Sequence, residues 1–462
     1  MITINKTMTW SVAGIGAILL ACGGSYFYQN THFNKNVQIN GVNVGGLSVK
    51  KATQKVQSTP LNNSVYLDNK LIFKGQEKVS EASQVSETDV KQVFSKQFSF
   101  FPSSKDINYQ INGTNENNYR KTTLKNAVQA KLASANETRT APVDAYAQLK
   151  DGKVSVVNAK KGNLYDIDKI MKEYDSQLND NQIKLSTAYV QPLSADSKKI
   201  ATDKAKLSEL SKQKIDYKVQ DKTYQLAAAD VINSATIKDG KFSFNTEKLN
   251  KKIAAINKAQ GTLNKNLKFH TTNGNNITLE KGSYGWALSE KKAAKTITTA
   301  FKEKKSSVDA KDDTYGEGYN TKGTGYSVTS NNGIGDNYVE ISLAQQHVWV
   351  YRNGKQVASI NIVSGTNDGY YNTPKGLYYV MYKQTNTVLR GRNADNSAYA
   401  SPVSRWAPFT LDGCGFHDAS WRSNWSSTAY LSNGSHGCIN IRPSQVNMVY
   451  DNITENEPVV IY

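Results

Sequence analysis

The chain has 462 residues, of which 38% are hydrophobic and 21% are charged, and its formal net charge is +18. A chain of this length exceeds what one hydrophobic core can organise, and its composition is that of a folded protein, so we expect about three folded units and exclude wholesale disorder. Its three cysteines are too few for a disulfide framework, which excludes the small disulfide-stabilised class of secreted proteins.

Most of the positive charge precedes residue 337. The segment from there to the end holds nine of the 57 basic residues and eight of the 39 acidic ones, which leaves 48 and 31 upstream. The upstream lysines are scattered among Asn, Ser and Thr, and no nucleic-acid-binding motif accompanies them, so we exclude a nucleic-acid partner. We expect a solvated lysine-rich surface, and the alternative is attraction to an anionic polymer.

The N-terminal segment has no charged residue between Lys6 and Lys35. Residues 8–28 are apolar or small and are numerous enough to cross a hydrocarbon core of about 30 Å as a helix. We therefore predict a short cytoplasmic tail at 1–7, a single transmembrane helix at 8–28, and the rest of the chain outside the cell. The alternative is a lipoprotein signal at 19–23 with Cys22 acylated, which would also tether the chain to the outer face of a membrane.

The middle of the chain contains a repeated pattern, Leu-Ser-x-Lys-Lys-Ala, at 47–52 and 288–293. Glycine precedes each copy and apolar residues at helical spacing follow it, which predicts two helices capped by Ser48 and Ser289. Strand-like pieces and an Asp239-Gly240 hairpin turn lie between them. We predict two α/β modules at 38–195 and 200–312. Because no cluster of His, Cys or paired carboxylates accompanies them, we expect spacing or binding rather than catalysis.

Residues 313–336 are rich in Gly, Asn, Thr and Tyr and have no periodicity, which predicts a linker or an extended strap. From 337 to 462 the pattern changes to short alternating and β-branched stretches, with a hairpin turn at Asn353-Gly354. One helix is expected after Pro443, with Val446 and Val449 on its apolar face. We predict a mostly β domain at 337–462, a sandwich or partly closed barrel with one or two short helices.

The run Ser435-His436-Gly437-Cys438 in this domain contains a candidate nucleophile. A cysteine thiol with a pKa of about 8.5 is mostly neutral at pH 7, so a catalytic cysteine needs a base. On a strand, the His436 and Cys438 side chains would run parallel on one face without meeting. We therefore predict His417, on a separate strand-like segment, as the base. The amides of Gly437 and Cys438 are the expected oxyanion donors, and the set describes acyl transfer through a thioester.

A zinc site is the main competing interpretation of these residues. Alternation along the strand places Cys414 on the face opposite His417, where we expect it in the core. The spacing of the two cysteines and two histidines also matches no zinc-binding pattern. We predict no metal and no cofactor. Since a disulfide between Cys414 and Cys438 would consume the nucleophile, we expect free thiols.

The run from His417 through Ser435-His436-Gly437-Cys438-Ile439-Asn440 resembles the signature of the L,D-transpeptidase family, the YkuD-type catalytic domain. The resemblance covers residues 337–462, including the turn at 373–376, and implies a β-sandwich. The upstream repeats resemble the paired peptidoglycan-binding modules that precede this domain in some Gram-positive enzymes.

The resemblance implies a peptidoglycan L,D-transpeptidase. Cys438 would attack the bond between the L-centre and D-Ala of a tetrapeptide stem, and D-Ala would leave with a proton from His417. An amine of a second stem would then resolve the thioester into a cross-link. Carried over by position, Ser435, His436 and Gly437 would shape the site. The protein would then act at the cell wall while attached to the cell membrane.

Two further site residues follow from the same resemblance, and the arginine and tryptophans named after them are inferred from the sequence itself. Asn440 would contact substrate, and Asp418 would orient His417 through its side chain or its backbone carbonyl. Arg442 is a candidate partner for a stem carboxylate, with an ordinary surface arginine as the alternative. Trp421, together with Trp406 and Trp425, is a candidate to line the groove, with core packing as the alternative.

Two other functions remain open at this level. An L,D-carboxypeptidase or exchange enzyme would use the same residues with water or a free D-amino acid as the acceptor. A non-catalytic wall-binding protein would fit the repeats, including the possible affinity for an anionic wall polymer, but would leave His417 and Cys438 without a role.

Overall fold

The computed structural model describes residues 23–24, 26–76, 85–97, 103–111, 118–393 and 395–462. None of the helices among these residues is long and apolar enough to cross a membrane. We therefore withdraw the prediction of a transmembrane helix, because no helix that the structure describes supports it. The predicted tail at 1–7, most of the 8–28 segment and Cys22 lie outside the described residues.

The chain divides into two compact units, one formed by Met1–Ala145 and Asn158–Ala195 and the other by Tyr146–Val157 and Asp196–Tyr462. The elements between residues 37 and 185 are, in chain order, β1 (Val37–Ile39), β2 (Val42–Asn43), α1 (Val49–Ser58), β3 (Asn62–Leu67), β4 (Lys70–Lys74), α2 (Glu87–Lys96), β5 (Ile107–Tyr109), a π-helical turn (Tyr119–Leu124), α3 (Lys125–Asn136), β6 (Tyr146–Lys150), β7 (Lys153–Val157), α4 (Ile167–Ser176) and β8 (Gln182–Leu185).

The first unit contains two small mixed sheets, in the strand orders β2-β1-β5 and β4-β3-β8. Helices α1 and α2 bury Ala52, Val56 and Val90 in the core of the first sheet. Helices α3 and α4 contribute Val128 and Ile170 to the core of the second. Each sheet thus buries one face against helices, as α/β packing requires.

The upstream part of the second unit is a mixed helix and sheet module. Its elements are α5 (Lys198–Ser211), β9 (Lys214–Val219), β10 (Lys222–Ala227), α6 (Ala228–Val231), β11 (Ser234–Lys238), β12 (Lys241–Asn245), α7 (Glu247–Gln260), β13 (Leu267–His270), β14 (Asn276–Leu279), β15 (Ala287–Leu288), α8 (Glu290–Lys302), β16 (Ser307–Asp309), a 3₁₀ turn (Lys311–Asp313) and β17 (Thr314–Tyr315).

Two local predictions for these regions are confirmed. Ser48 accepts a hydrogen bond from the Lys51 amide at the start of α1, and Ser289 accepts one from the Lys292 amide at the start of α8. The Asp239-Gly240 turn joins β11 to β12, with both residues at positive φ. Serine caps and primed hairpin turns are local chemistry, which explains why sequence alone identifies them.

The hairpin β6–β7 lies inside the predicted first module, yet it completes a sheet of the second unit. That sheet has the order β12-β11-β6-β7, and Ala235 of β11 pairs with Leu149 of β6. Leu149 and Ala147 are both buried there. The predicted boundary between 195 and 200 was drawn from composition. It could not show that β6–β7 pairs with strands beyond that boundary, because strand pairing is a long-range contact.

The segment at 313–336 is a packed strap. Its β17 pairs with β15, and the ring of Tyr326 lies 4.9 Å from that of Trp286 in an edge-to-face contact. Ile334, near its end, is buried. These contacts fix the segment along the upstream module.

The rest of the second unit is a β-sandwich. Its elements are a 3₁₀ turn (Asn331–Gly333), β18 (Tyr338–Ser342), β19 (His347–Arg352), β20 (Lys355–Asn361), β21 (Gly376–Tyr379), β22 (Gln384–Arg392), β23 (Ala398–Pro408), β24 (Gly415–Asp418), a 3₁₀ turn (Ala429–Leu431), β25 (Ile439–Ile441), α9 (Val446–Tyr450) and β26 (Pro458–Ile461).

The sandwich consists of a five-stranded sheet, β20-β19-β18-β26-β21, and a four-stranded sheet, β22-β23-β24-β25. One buried cluster joins residues of both sheets, among them Val339, Phe416 and Ile439, with Val446 from α9. This agrees with the predicted mostly β domain. The strands β24 and β25 are parallel neighbours, and His417 pairs with Asn440 across them.

The upstream module packs against the five-stranded sheet through the hairpin β13–β14. The Thr272 amide and hydroxyl both donate to the buried Glu340 carboxylate, and the Tyr462 hydroxyl donates to the same group at 2.7 Å. Phe269 meets Tyr338 edge to face at 5.5 Å. A buried carboxylate needs such partners, because an unpaired charge in the interior is costly.

Phe416 should be among the main contributors to the stability of the sandwich. It is 1% exposed, and its ring packs 5.2 Å from that of Phe409. We expect Phe416→Ala to lower the free energy of unfolding by about 3–5 kcal/mol, since it removes buried contacts and leaves a cavity. Urea unfolding followed by tryptophan fluorescence measures this. The control is Leu411→Ala, at a side chain that is 72% exposed, and a similar loss in both variants would contradict the packing described.

Candidate active site

The loop that carries the candidate nucleophile is fixed by backbone pairing with the segment 364–366. The Ser435 amide donates to the Ser364 carbonyl and the Thr366 amide donates to the Ser435 carbonyl, both at 2.9 Å. The two segments lie so close that a Cβ on Gly434 would stand 2.3 Å from the Thr366 nitrogen. Because Gly434 has no side chain, the two backbones can pair. This pairing fixes the position from which the loop enters β25.

Gly437 is a second required glycine. Its φ is +113°, and a Cβ there would lie 2.6 Å from the Cys414 sulfur, so a side chain would be strained in both conformation and space. The Thr373 hydroxyl donates to the Gly437 carbonyl at 2.8 Å. These contacts determine where Cys438 emerges at the start of β25.

Cys438 is a free, partly exposed cysteine. Its Sγ donates to the Gly413 carbonyl at 3.4 Å. Burial of the sulfur and the neighbouring Cys414 raise the pKa of the Cys438 thiol to about 12, although a hydrogen bond from the Gly415 amide opposes this. An unperturbed cysteine has a pKa of about 8.5, so the resting nucleophile is a neutral thiol at physiological pH.

His417 is buried and has two tryptophan rings as neighbours. The ring centroids of Trp406 and Trp421 lie 6.0 and 5.7 Å from that of His417. Burial lowers the pKa of His417, the hydrogen bond to the Asp418 carbonyl and the Asp418 charge raise it, and Arg422 lowers it, with a net downward shift. The imidazole is therefore neutral at pH 7.

The tautomer of His417 follows from its partners. Nδ1 lies 2.9 Å from the Asp418 carbonyl oxygen, which can only accept, so Nδ1 carries the proton. Nε2 then holds the lone pair that could take a proton. The Asp418 carboxylate accepts from the Ser404 and Arg405 amides at 2.8 and 3.0 Å, so Asp418 orients His417 through its carbonyl.

Asn440 bridges His417 to Arg422. Its side-chain oxygen accepts from Arg422 Nε at 3.0 Å and Nη2 at 3.1 Å, and its side-chain nitrogen donates to His417 Nε2 at 3.1 Å. Only this amide orientation satisfies both neighbours, because arginine can only donate. A chain of hydrogen bonds thus runs from the guanidinium to the imidazole.

Ser435 and His436 have different surroundings. The Ser435 hydroxyl donates to the Cys438 carbonyl at 2.5 Å and accepts from the Gly437 amide at 3.1 Å. The Gly437 amide is therefore occupied, which leaves the Cys438 amide as the remaining predicted oxyanion donor. The exposed His436 ring stacks on Tyr371 at 4.3 Å and lies 5.3 Å from Tyr399.

These residues surround a cavity of about 260 Å³. Its walls are Leu389, Asn393, Tyr399, Ser401, His417, Trp421, Arg422, Gly434, Ser435, His436, Cys438 and Asn440.

Arg442 lies outside the cavity. Its guanidinium stands 5.1 Å from the Trp425 ring, and it is absent from the cavity wall. The predicted contact of Arg442 with a stem carboxylate therefore has no support in the geometry, and the alternative of a surface arginine fits better.

Sequence reasoning missed six residues of the cavity wall, namely Gly434 in the loop before Cys438 and five others. Leu389, Asn393, Tyr399 and Ser401 belong to the β22–β23 hairpin and its turn, and Arg422 follows β24. Tyr399 and Ser401 are two residues apart and so face the same side of β23, a signal that alternation could have supplied. Arg422 lies in an irregular segment and has no such signal.

Cys414 is part of the core of the sandwich. Burial raises the pKa of its thiol to about 11. Unlike Cys438, Cys414 is absent from the cavity wall, so its sulfur is not placed to react with a molecule bound there. Within the described residues, no group of three or more His, Cys, Asp or Glu side chains is placed to hold a metal ion.

Residues 336–461 match the family described as the L,D-transpeptidase catalytic domain. Residues 198–310 match the family described as "Putative peptidoglycan binding domain". A comparison with curated proteins found no match.

Several solved structures are similar to parts of the chain. A crystal structure of Enterococcus faecium L,D-transpeptidase is 26% identical, covering 56% of this chain and 98% of that one, with a TM-score of 0.44. The catalytic domain of the E. faecium enzyme is 36% identical, covering 28% and 97%, with a TM-score of 0.26. L,D-transpeptidase 3 of Mycobacterium tuberculosis, with a faropenem-derived adduct, is 22% identical, covering 27% and 60%, with a TM-score of 0.24.

The raised pKa of Cys438 predicts slow alkylation by iodoacetamide. Because only the thiolate reacts, the rate should rise about tenfold per pH unit from pH 6 to pH 9.5 without levelling off, since the pKa is about 12. Mass spectrometry of the peptide that contains Cys438 follows the reaction, and Cys438→Ser shows the background at the other thiols. A plateau below pH 9 would contradict the neutral resting thiol.

Proposed function

We propose that Cys438 is the nucleophile of this chain and that His417 is its general base. The chain belongs to the L,D-transpeptidase family through residues 336–461. L,D-transpeptidases are acyltransferases, and the peptidoglycan-binding match at 198–310 supports peptidoglycan as the substrate. The observation that carries the proposal is the shared cavity wall, where Cys438 and a His417 with an unprotonated Nε2 lie together.

The first half-reaction forms the thioester. The Asn440 amide leaves His417 Nε2, and the Cys438 thiol gives its proton to that nitrogen as the sulfur attacks the carbonyl between the L-centre and D-Ala of a tetrapeptide stem. In this proposal the Cys438 amide stabilises the oxyanion. The tetrahedral intermediate then collapses, the peptide bond breaks, and the proton on His417 passes to the leaving D-Ala amine.

The second half-reaction forms the cross-link. His417, neutral again, takes a proton from an amine of a second stem as that amine attacks the thioester. The C–S bond breaks and the sulfur recovers a proton from His417. Thiol and imidazole begin and end neutral, which agrees with the raised pKa of Cys438 and the lowered pKa of His417.

The cavity wall suggests how the stem is held. Trp421 is 51% exposed and stacked against His417, so it can cover a bound peptide while shielding the base from water. His436 and Tyr399, whose rings lie 5.3 Å apart, also line the cavity. We assign peptide contacts to these aromatic side chains and to Ser401, whose hydroxyl can pair with a backbone amide.

We further propose that the catalytic domain acts outside the cytoplasm, at the cell wall, because its substrate is there. The lysine-rich surface upstream of residue 337 supports attraction to an anionic wall polymer, since 48 of the 57 basic residues lie in that part.

The activity itself is tested with a disaccharide-tetrapeptide as donor and acceptor. We expect Cys438→Ala to abolish D-Ala release and dimer formation. His417→Gln should lower the rate by about 10²–10⁴-fold, the usual contribution of a general base. Chromatography with mass detection of the products measures both. Retained turnover in Cys438→Ala would contradict the assignment, and D-Ala release without dimers would indicate a carboxypeptidase.

A carbapenem gives an independent test of which cysteine reacts. The drug should add its mass once to the full chain, on the peptide that contains Cys438, and the adduct should be absent from Cys438→Ala. Labelling of the peptide that contains Cys414 would contradict the assignment of the nucleophile.

A further inference from the structure

We propose that Arg422 is a positioning residue, which acts through the Asn440 amide to hold the resting His417 in its neutral form with the proton on Nδ1. The amide leaves Nε2 when that nitrogen takes a proton during the reaction. The role in catalysis rests on the function proposed above, but the effect on His417 is a property of the folded protein and can be measured without turnover.

Arg422 holds the amide by a two-pronged contact. Its Nε and Nη2 lie 3.0 and 3.1 Å from the Asn440 side-chain oxygen. Its Nη1 donates to the Asn433 carbonyl at 2.5 Å and to the Asn433 side-chain oxygen at 3.0 Å. The half-buried guanidinium is therefore anchored on both sides, and paired N–H donors of this kind impose a fixed geometry on their acceptor.

The backbone of Asn440 is also fixed. Its amide and carbonyl bond to the carbonyl and amide of Val363 at 2.9 and 3.0 Å, while β25 pairs with β24 on the other side. The remaining freedom is rotation of the side-chain amide. Arg422 removes it, because turning the amide over would bring its N–H groups against the guanidinium N–H groups.

The fixed amide has a direct consequence for His417. The Asn440 nitrogen points at Nε2 at 3.1 Å, and Nδ1 is held by the Asp418 carbonyl. A neutral imidazole with its proton on Nδ1 satisfies both neighbours. An imidazolium would set two N–H donors against each other at Nε2, so this arrangement disfavours the charged ring.

Few other charges act on His417. Asp418 on its own strand raises its pKa and Arg422 lowers it. The other titratable groups on the cavity wall are Cys438, directly before β25, and His436 and Tyr399. Trp406 and Trp421 pack against the ring without charge. Among these groups, Arg422 alone combines a positive charge with control of a hydrogen bond to Nε2.

Replacing Arg422 should release the amide. In Arg422→Met, Asn440 can turn its oxygen toward Nε2 and accept a hydrogen bond from the imidazolium, and a nearby positive charge is lost. We expect the pKa of His417 to rise by about one unit or more. In Arg422→Lys the charge remains but the two-pronged contact is lost, so the pKa should rise by a smaller but measurable amount.

The test is an NMR titration of the full chain with ¹⁵N-labelled histidine, which is practical because the chain has five histidines. His417→Gln identifies the His417 signals. The wild-type spectrum should show Nδ1 protonated and Nε2 unprotonated, and both Arg422 variants should titrate at higher pH. The control is Lys355→Met, which removes a positive charge from an exposed site on β20 and should leave the His417 titration unchanged.

The results separate the possible roles of Arg422. An unchanged pKa in Arg422→Met, with thermal unfolding showing an intact fold, would overturn the proposal. A wild-type pKa in Arg422→Lys would also overturn it, because charge alone would then suffice. In Arg422 variants that retain turnover, the acidic side of the pH profile of kcat/KM should move to higher pH by the same amount as the His417 pKa. Failure of the function proposed above would remove this last readout and leave the titration valid.

Discussion

The parallel pairing of β24 with β25 is the constraint on which the rest of the site depends. It sets His417 opposite Asn440, and alternation along β25 then places Cys438 on the same face as Asn440. The opposite faces of the two strands contribute Phe416 and Ile439 to the core. A shift of one residue in this register would turn the cavity-lining side chains into the core and the core side chains toward the cavity.

The loops around β25 fix the position of the Cys438 thiol. Close backbone packing at Gly434 and Gly437 leaves no room for side chains, and the Thr373 hydroxyl holds the carbonyl of Gly437. The sulfur therefore approaches the backbone of 413–415, where it donates to a carbonyl and accepts from an amide. The result is a neutral thiol, since burial outweighs the amide. His417 is neutral for the same physical reason, so the proposed reaction requires proton transfer between the two groups as the sulfur attacks.

Local chemistry made much of this predictable from sequence. Serine caps, the Asp239-Gly240 turn and strand alternation depend on neighbouring residues, and alternation also placed Cys414 in the core rather than at the site. What sequence could not supply were contacts between distant segments. Three such contacts are the pairing of the β6–β7 hairpin with β11, the contact of Arg422 with Asn440 and the packing of Arg442 on Trp425. The transmembrane prediction used length and apolarity alone, and no described helix supports it.

Rapid-quench mass spectrometry of the full chain mixed with a disaccharide-tetrapeptide tests the central claim most directly. The account predicts a transient species heavier by the donor less D-Ala, with the added mass on the peptide that contains Cys438 and lost when an acceptor amine is added. An adduct on Cys414, or dimer formation with no covalent species at any time, would contradict it.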